Sequence, residues 1–172
     1  MNLFLKLIFY SPPHQKKLNC EGGFTLIELI IVMVMLGILS AIAIPSFMNQ
    51  IGKARESETK NYLGLIARGQ QAYHWEKKTF ANNLASLGVD EGGSKYHSIA
   101  IVNPATVDDV MVEHQAIALN AEKDQVRNFA IGVYFSGGFY SISLCQSIDI
   151  NDPVNVGDTA SDNCTNNGIK LK

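Results

Sequence analysis

The longest feature of the hydrophobic pattern is an apolar run at residues 24–44, in which only Thr25, Glu28 and Ser40 are polar. A helix rises about 1.5 Å per residue, so this run spans roughly 31 Å, close to the thickness of the hydrocarbon core of a bilayer. A helix that is apolar all round must be buried on all sides. The run therefore predicts a transmembrane helix, and Glu28 is the one residue in it that can carry a charge.

The pattern changes after Pro45, which removes a backbone donor and predicts a kink in the helix. Residues 46–77 continue the helix with apolar positions three or four residues apart, or at sums of these spacings. Glu56 and Lys60 lie off this stripe, in the order that favours an i,i+4 ion pair. We expect an amphipathic half-helix covered on one side by a globular head, and its apolar stripe comprises Phe47, Ile51, Ala54, Tyr62, Leu65 and Tyr73.

From about Tyr96 the period changes to two. Runs at residues 129–135 and 140–145 alternate apolar with small or polar side chains, and Ser136-Gly137-Gly138 between them predicts a hairpin loop. Weaker strand patterns lie at residues 98–102 and 110–119. The prediction is an α+β fold, in which three or four antiparallel strands pack on the outer half of the long kinked helix.

The side-chain chemistry of the sequence predicts no active site, no cofactor and no metal site. The four histidines have no metal-ligand spacing with the cysteines, and there is no phosphate loop, dinucleotide fingerprint or nucleophile–base motif. A formal net charge of −2 gives no electrostatic case for binding nucleic acid. The aspartates near the C-terminus lack an EF-hand pattern, so they are interpreted as solvated loop carboxylates, with a calcium site as the alternative.

The segment Gly23-Phe24-Thr25-Leu26-Ile27-Glu28-Leu29, with the apolar run after it and Pro45 at its end, resembles the N-terminal signature of type IV pilins and pseudopilins. Residues 53–73 most resemble the cyanobacterial branch of this family. The resemblance implies the type IV pilin fold. It also implies that a membrane-embedded prepilin peptidase cleaves after Gly23 and methylates the new N-terminal Phe24. Glu28 is then expected to act in assembly.

The same resemblance divides the chain into three regions. Residues 1–23 would be a cleaved leader, residues 24–45 the transmembrane and fibre-core half of the helix, and residues 46–172 the globular head. Lys16 and Lys17 stand before the apolar run and predict a cytoplasmic N-terminus, which leaves the head in the periplasm.

Cleavage after Gly23 would also change the cysteine count. Of the three cysteines, Cys20 lies in the leader, so Cys145 and Cys164 remain as an even pair. In an exported protein such a pair predicts a disulfide, with two buried free thiols as the alternative. In many pilins a C-terminal disulfide clamps an exposed loop, whereas the major pseudopilins of type II secretion use a calcium loop there. The pair therefore favours a pilin.

The sequence thus predicts a non-enzymatic structural subunit of a type IV pilus, a homo-oligomeric helical fibre serving motility, adhesion or DNA uptake. Before assembly the processed chain would be held in the inner membrane. The implied partners are the prepilin peptidase, a platform protein, cytoplasmic ATPases and an outer-membrane secretin. One alternative is a pseudopilin or minor pilin of a secretion or pilus-priming complex. Another is a singly anchored periplasmic binding domain, which would need neither cleavage after Gly23 nor Glu28.

Overall fold

The computed structural model describes residues 23–89, 94–102, 107 and 109–171. The predicted leader therefore lies outside the described residues, apart from Gly23. The chain divides into two compact units, residues 1–41 and 42–172, and the boundary between them falls within one long helix.

This helix, α1, is Leu26–Lys77 and contains Pro45 without interruption. It begins at a capped end, because the backbone N–H of Glu28 donates to the hydroxyl of Thr25 at 3.3 Å. All side chains of residues 24–44 are exposed. In the part of the chain that the structure describes, α1 is the one helix long and apolar enough to cross a membrane. The kink at Pro45 stays a prediction.

Among the described residues of the second unit, five antiparallel strands form one sheet, in the spatial order β1-β2-β3-β4-β5. They confirm the α+β class, but the sheet has one strand more than the predicted three or four. The additional strand, β5, is only three residues long and ends a polar tail, so no alternation reveals it. The strands are β1 (His97–Ile101), β2 (Met111–Ala118), β3 (Phe129–Ser136), β4 (Phe139–Gln146) and β5 (Ile169–Leu171), with a short helix, α2 (Ala121–Asp124), between β2 and β3.

The predicted hairpin joins β3 to β4 through a two-residue turn. Ser136 pairs with Phe139, so the turn itself is Gly137-Gly138, with φ values of 59° and 85°. Positive φ at both central positions matches the twist of the flanking strands and favours glycine. The prediction of the hairpin is confirmed, and Ser136 belongs to the strand.

The face of α1 that packs on the sheet is not the predicted apolar stripe. None of the six stripe residues is buried, and the exposed fractions of Phe47 and Leu65 are 62% and 51%. The predicted stripe was therefore wrong as the packing face, although Tyr62 is partly buried against the core. Half of the residues on the true packing face are polar or charged, so the apolar periodicity could not identify it. The buried residues of α1 are Gly52, Glu56, Thr59, Leu63, Ile66, Ala67, Gln70 and His74.

Glu56 is the charged member of this buried face. Its carboxylate accepts hydrogen bonds from Arg127 Nε at 2.9 Å, from the Arg127 backbone N–H at 3.1 Å and from Gln146 Nε2 at 3.0 Å. Burial acts to raise the pKa of Glu56, but the hydrogen bonds and charge of Arg127, with a smaller contribution from Lys60, hold it below its ordinary value. Glu56 therefore forms its ion pair with Arg127, and Lys60, the predicted i,i+4 partner, contributes only the weaker charge effect.

One turn further along α1, Thr59 binds a histidine of β1. His97 Nε2 lies 2.9 Å from the Arg127 carbonyl oxygen and must donate to it, so Nδ1 accepts from the Thr59 hydroxyl at 2.8 Å. The Thr59 oxygen in turn lies 3.2 Å from the hydroxyl of Ser94. Burial lowers the pKa of His97, which agrees with the neutral ring that this arrangement requires.

Gln70 occupies the same face about three turns after Thr59. Its Oε1 accepts from the Ala81 backbone N–H at 2.9 Å, and its Nε2 donates to the Ala81 carbonyl at 3.0 Å. Nε2 also lies 3.0 Å from His114 Nε2, which must then be the acceptor. Burial lowers the pKa of His114 to about 4, so its ring is neutral at pH 7.

His74 makes the last polar contact of this face. Its Nε2 donates to the Asp109 carbonyl at 3.0 Å, and its Nδ1 accepts from the Tyr140 hydroxyl at 2.8 Å. The ring also packs between Phe80 and Phe135, each with a centroid distance of 4.5 Å. The packing face of α1 is therefore joined to the sheet and its connections by hydrogen bonds along most of its length.

The other face of the sheet is covered by the chain that follows β4. Val154 and Val156 pack against Ala130, Tyr134 and Cys145. The first six residues of β3 are therefore buried, because a helix covers one face and the tail covers the other. The predicted polar tail is thus a third layer of the head, and its carboxylates and amides lie around a small apolar cluster.

We expect the two glycines of this part of α1 to respond in opposite ways to alanine. A Cβ on Gly52 would lie 2.3 Å from the Gln125 carbonyl oxygen, whereas a Cβ on Gly64 would meet nothing within 4 Å. Gly52→Ala should lower the free energy of unfolding by about 1–3 kcal/mol because the helix must move away from Gln125. Gly64→Ala should raise it by up to about 1 kcal/mol through helix propensity.

Urea unfolding of the detergent-solubilised protein, followed by circular dichroism, measures both changes. Gly64→Ala is the matched control, since it adds the same methyl group to the same helix. Equal effects of the two substitutions would contradict the close approach of α1 to Gln125.

Candidate functional site

The predicted processing residues lie at the start of α1. Gly23 and Phe24 precede the helix, and the Phe24 side chain is 82% exposed. A Cβ on Gly23 would meet nothing within 4 Å, so the fold itself does not require glycine there. Packing among the described residues therefore supplies no reason for a glycine at this position.

Glu28 lies in the first turn of α1, three residues after the Thr25 cap. Thr25 and Glu28 have the spacing of a capping box, and a carboxylate in the first turn interacts favourably with the helix dipole. This local role accounts for an acid at the helix start. It does not by itself account for an acid within an exposed apolar run of roughly 31 Å, which is a costly place for a charge.

Cys145 and Cys164 form the predicted disulfide, with their Cα atoms 5.8 Å apart. Cys145 is fully buried on the tail side of β4, and Cys164 packs at the edge of the same cluster. The bond closes a loop with a sequence separation of 19, which stabilises the fold by roughly 3 kcal/mol on the chain-entropy argument. The disulfide therefore fastens the third layer to the sheet.

Further contacts organise the closed loop. Lys170 of β5 donates its ammonium to the carbonyl oxygens of Ala160 and Asp162. The Asp162 carboxylate accepts from the Thr159 backbone N–H at 2.8 Å, so this aspartate caps a turn of its own loop. The prediction of freely solvated carboxylates is too simple for Asp162.

Sequence reasoning did not single out Gly52, Arg127 or Lys170. A partial signal exists for Gly52, which shares a helical face with Glu56 and Thr59 at spacings of four and three. Arg127 has no local signal, because its partner Glu56 is 71 residues away in sequence. Lys170 has none either, because it binds backbone carbonyl oxygens of a loop.

Comparison with known proteins agrees with this geometry. Residues 18–44 match the prokaryotic N-terminal methylation motif, and residues 56–162 match the family described as type IV pilin-like G and H. The second match alone covers more than half of the chain. The chain belongs to the type IV pilin family. Its helix and antiparallel sheet are the fold that the resemblance implied, and the family is structural rather than enzymatic.

Three pilin relatives illustrate the range of similarity. The type IV major pilin protein PilA of Myxococcus xanthus is 39% identical over 75 residues, which cover 43% of this chain and 34% of that protein. A fimbrial protein of Moraxella nonliquefaciens is 35% identical over 98 residues, covering 55% of this chain and 64% of the relative. The fimbrial protein EcpC of Eikenella corrodens is 32% identical over 130 residues, covering 75% and 85%.

The first two matches thus span less than two thirds of the relatives' own length. The similarity to the cyanobacterial branch stays a prediction.

Loss of the disulfide should destabilise the head of this pilin. We expect Cys145→Ser to lower the free energy of unfolding by about 2–5 kcal/mol, because the tail is then free in the unfolded chain. Cys164→Ser is the control for packing, since it breaks the same bond at a less buried position. Urea unfolding with and without reductant measures this loss of unfolding free energy. In reductant the wild type has no disulfide either, so wild type and variants should then be equally stable, apart from the packing difference at Cys145. Peptide mapping that finds both thiols free in protein recovered from the cell surface would contradict the disulfide between Cys145 and Cys164.

Proposed function

We propose that this pilin is the precursor of a structural subunit of a type IV pilus. One observation carries the proposal: every side chain of residues 24–44 is exposed in the isolated chain, although nearly all are apolar. Such a surface needs lipid or other apolar helices around it. A subunit that moves from a membrane into a fibre is surrounded first by lipid and then by the apolar helices of neighbouring subunits.

Processing at Gly23 would prepare the chain for this transfer. A prepilin peptidase would cleave between Gly23 and Phe24, outside α1, and methylate the new amine. The match to the methylation motif at residues 18–44 supports this role. A glycine before the cleaved bond allows close backbone approach by the peptidase, which is a reason for glycine that packing within the chain does not supply.

Glu28 would then set the axial register between subunits. The methylated amine of Phe24 stays cationic and lies one helical turn from Glu28 of its own chain. In the fibre, Glu28 of one subunit would also meet the Phe24 amine of an incoming one. The low-dielectric surroundings of an apolar fibre core strengthen this attraction, which offsets the cost of placing a carboxylate in an apolar run.

The cellular route follows from the same residues. The precursor would span the inner membrane with its N-terminus in the cytoplasm and its head in the periplasm, as Lys16 and Lys17 favour. A platform protein and ATPases would extract it into a homo-oligomeric fibre that leaves through a secretin. The fibre would serve motility, adhesion or DNA uptake at the cell surface. The leader at residues 1–23, the membrane half at 24–45 and the head at 46–172 would be the functional parts.

A pseudopilin or minor pilin is the second candidate, because both share the N-terminal motif. The disulfide between Cys145 and Cys164 favours a pilin, since it fastens the position at which the major pseudopilins hold calcium. Two of the relatives described above are fimbrial proteins and one is a major pilin by name.

The processed chain should begin with N-methylated Phe24. Intact-mass measurement of protein from membranes and from sheared fibres tests this directly, and the matched variant Gly23→Val should accumulate uncleaved because a branched side chain blocks approach to the bond. A mature chain that still carries residues 1–23 would overturn the proposed function.

Replacement of Glu28 should separate membrane insertion from assembly. We expect Glu28→Leu to leave the amount of protein in the membrane unchanged or higher, because a charge is removed from an apolar run. Fibres sheared from the surface should be lost. Glu122→Leu, which removes an exposed carboxylate from the first turn of α2, is the control and should assemble normally. Normal fibres from Glu28→Leu would remove Glu28 from the assembly mechanism.

A further inference from the structure

The side of α1 that faces away from the sheet carries a ridge of exposed residues within the second unit. Leu65 follows Phe47 by eighteen residues, which is about five full helical turns, so the two side chains lie on one line along the helix. They are 51% and 62% exposed. The residues that define this ridge are Phe47, Ala54, Glu58, Leu65, Ala72 and Glu76, and all of them are exposed. The ridge therefore contains three members of the predicted apolar stripe, for which the head has no use.

A second exposed apolar surface lies on the helix side of the sheet, along the margin formed by β4 and β5. Gln146 of β4 donates to Glu56 of α1, so the alternate residues of β4 that include Gln146 and Ile142 face the helix. Ile142 is nevertheless 45% exposed. Ile169 of β5 pairs with Gln146, so it faces the same side, and it is 49% exposed. The helix therefore leaves this margin of the sheet uncovered.

One flank of α1 borders the uncovered margin. Lys60 Nζ lies over the ring of Phe129 at 5.2 Å, and Phe129 pairs with Gln146 of β4. Gly64 and Arg68 follow Lys60 at intervals of four residues, so they lie on the same flank. A Cβ on Gly64 would meet nothing within 4 Å, which leaves open space between the flank and the margin. The residues that define this groove are Lys60, Gly64, Arg68, Ile142 and Ile169.

The groove follows the length of β4, because α1 binds both ends of that strand. The contacts at the two ends are Glu56 with Gln146 and His74 with Tyr140. Gly64 lies almost midway between the two contacts on α1, which places it beside the stretch of β4 from Ile142 to Leu144. The open space at Gly64 is therefore next to the exposed side chain of Ile142.

The ridge and the groove carry opposite charges. Glu58 and Glu76 belong to the ridge, whereas Lys60 and Arg68 border the groove. None of these four charges takes part in the salt bridges found among the described side chains. One chain thus presents two different surfaces that complement each other in apolar character and in charge. When such surfaces meet between copies, the contact is heterologous and can repeat into an open helical filament.

We propose that the ridge of one copy packs into the groove of a second copy. This inference rests on the proposed function, because the ridge continues the helix whose apolar run would pack against other copies in the fibre core. An apolar side chain of the ridge would fill the space beside Gly64 and cover Ile142. The carboxylates of the ridge would approach Lys60 and Arg68, which favours this orientation over others. The contact would join neighbouring heads outside the fibre core.

Replacement of Ile142 tests the groove in cells that lack the wild-type chain. We expect Ile142→Asp to reduce the amount of fibre sheared from the surface by about ten-fold or more, because its carboxylate would be buried in the contact. Ile117→Asp is the matched control, since Ile117 of β2 is 43% exposed on the opposite face of the sheet and should assemble normally. Urea unfolding of the membrane-extracted variants, followed by circular dichroism, should find both heads folded.

Cross-linking in intact fibres tests the occupant of the groove. Leu65→Cys or Phe47→Cys supplies a thiol on the ridge, and Ile142→Cys in the same chain supplies one in the groove. A short bis-maleimide should join at least one of these two combinations into products longer than dimers, because every copy uses both surfaces. Chains with Ile117→Cys in place of Ile142→Cys are the control and should stay monomeric.

The outcomes separate the contact from the proposed function. Equal amounts of fibre from Ile142→Asp and Ile117→Asp would overturn the groove and leave the proposed function intact. Fibres without cross-linked products from either combination would also overturn the contact, and this result decides the matter if Ile142→Asp fails to fold. Cross-links from Ile142→Cys to a different protein would overturn the second copy as the occupant. Absence of the wild-type chain from surface fibres would overturn both the contact and the proposed function.

Discussion

The head of this pilin depends on the ion pair between Glu56 of α1 and Arg127, which precedes β3. The Glu56 side chain is almost fully buried, and its two oxygens accept four hydrogen bonds from Arg127 and Gln146. A buried carboxylate is tolerated only when it is compensated in this way, and loss of one partner leaves an unpaired charge in the interior. The pair therefore specifies the register of the helix on the sheet.

The rest of the packing face of α1 uses the same kind of specificity. Thr59, Gln70 and His74 bind partners on β1, on the connection after the helix and on β4. Meanwhile large apolar side chains such as Phe47, Leu65 and Trp75 are exposed on α1. An exposed apolar surface of this size is usual where a protein meets another protein or a membrane. The distribution fits the proposed function, in which the helix packs on its own head through polar contacts and its apolar side would meet neighbouring subunits.

The third layer explains how a small head keeps a sheet buried on both faces. The tail after β4 is poor in apolar residues, yet Val154 and Val156 cover the second face of β3 and the disulfide fixes them there. The sheet would otherwise expose Ala130 and Tyr134 to solvent. Burial raises the pKa of Glu113, which accepts from the Val156 backbone N–H at 3.0 Å beneath this layer. The disulfide thus supplies stability that the tail, with few apolar side chains to bury, cannot gain from hydrophobic packing.

The sequence by itself determined the features that depend on local pattern. The apolar run at residues 24–44, the methylation motif, the hairpin at Gly137-Gly138 and the even pair of cysteines are all readable in order along the chain. Tertiary structure alone decided which face of α1 is buried, because Glu56, Gln70 and His74 become suitable for the interior only through partners far away in sequence. It also decided that the tail forms a strand and a third layer, since three residues of β5 carry no periodicity. A hydrophobic pattern indicates which side chains gain free energy when they are transferred from water to the interior. Buried hydrogen bonds, in contrast, depend on a geometry that exists only after folding.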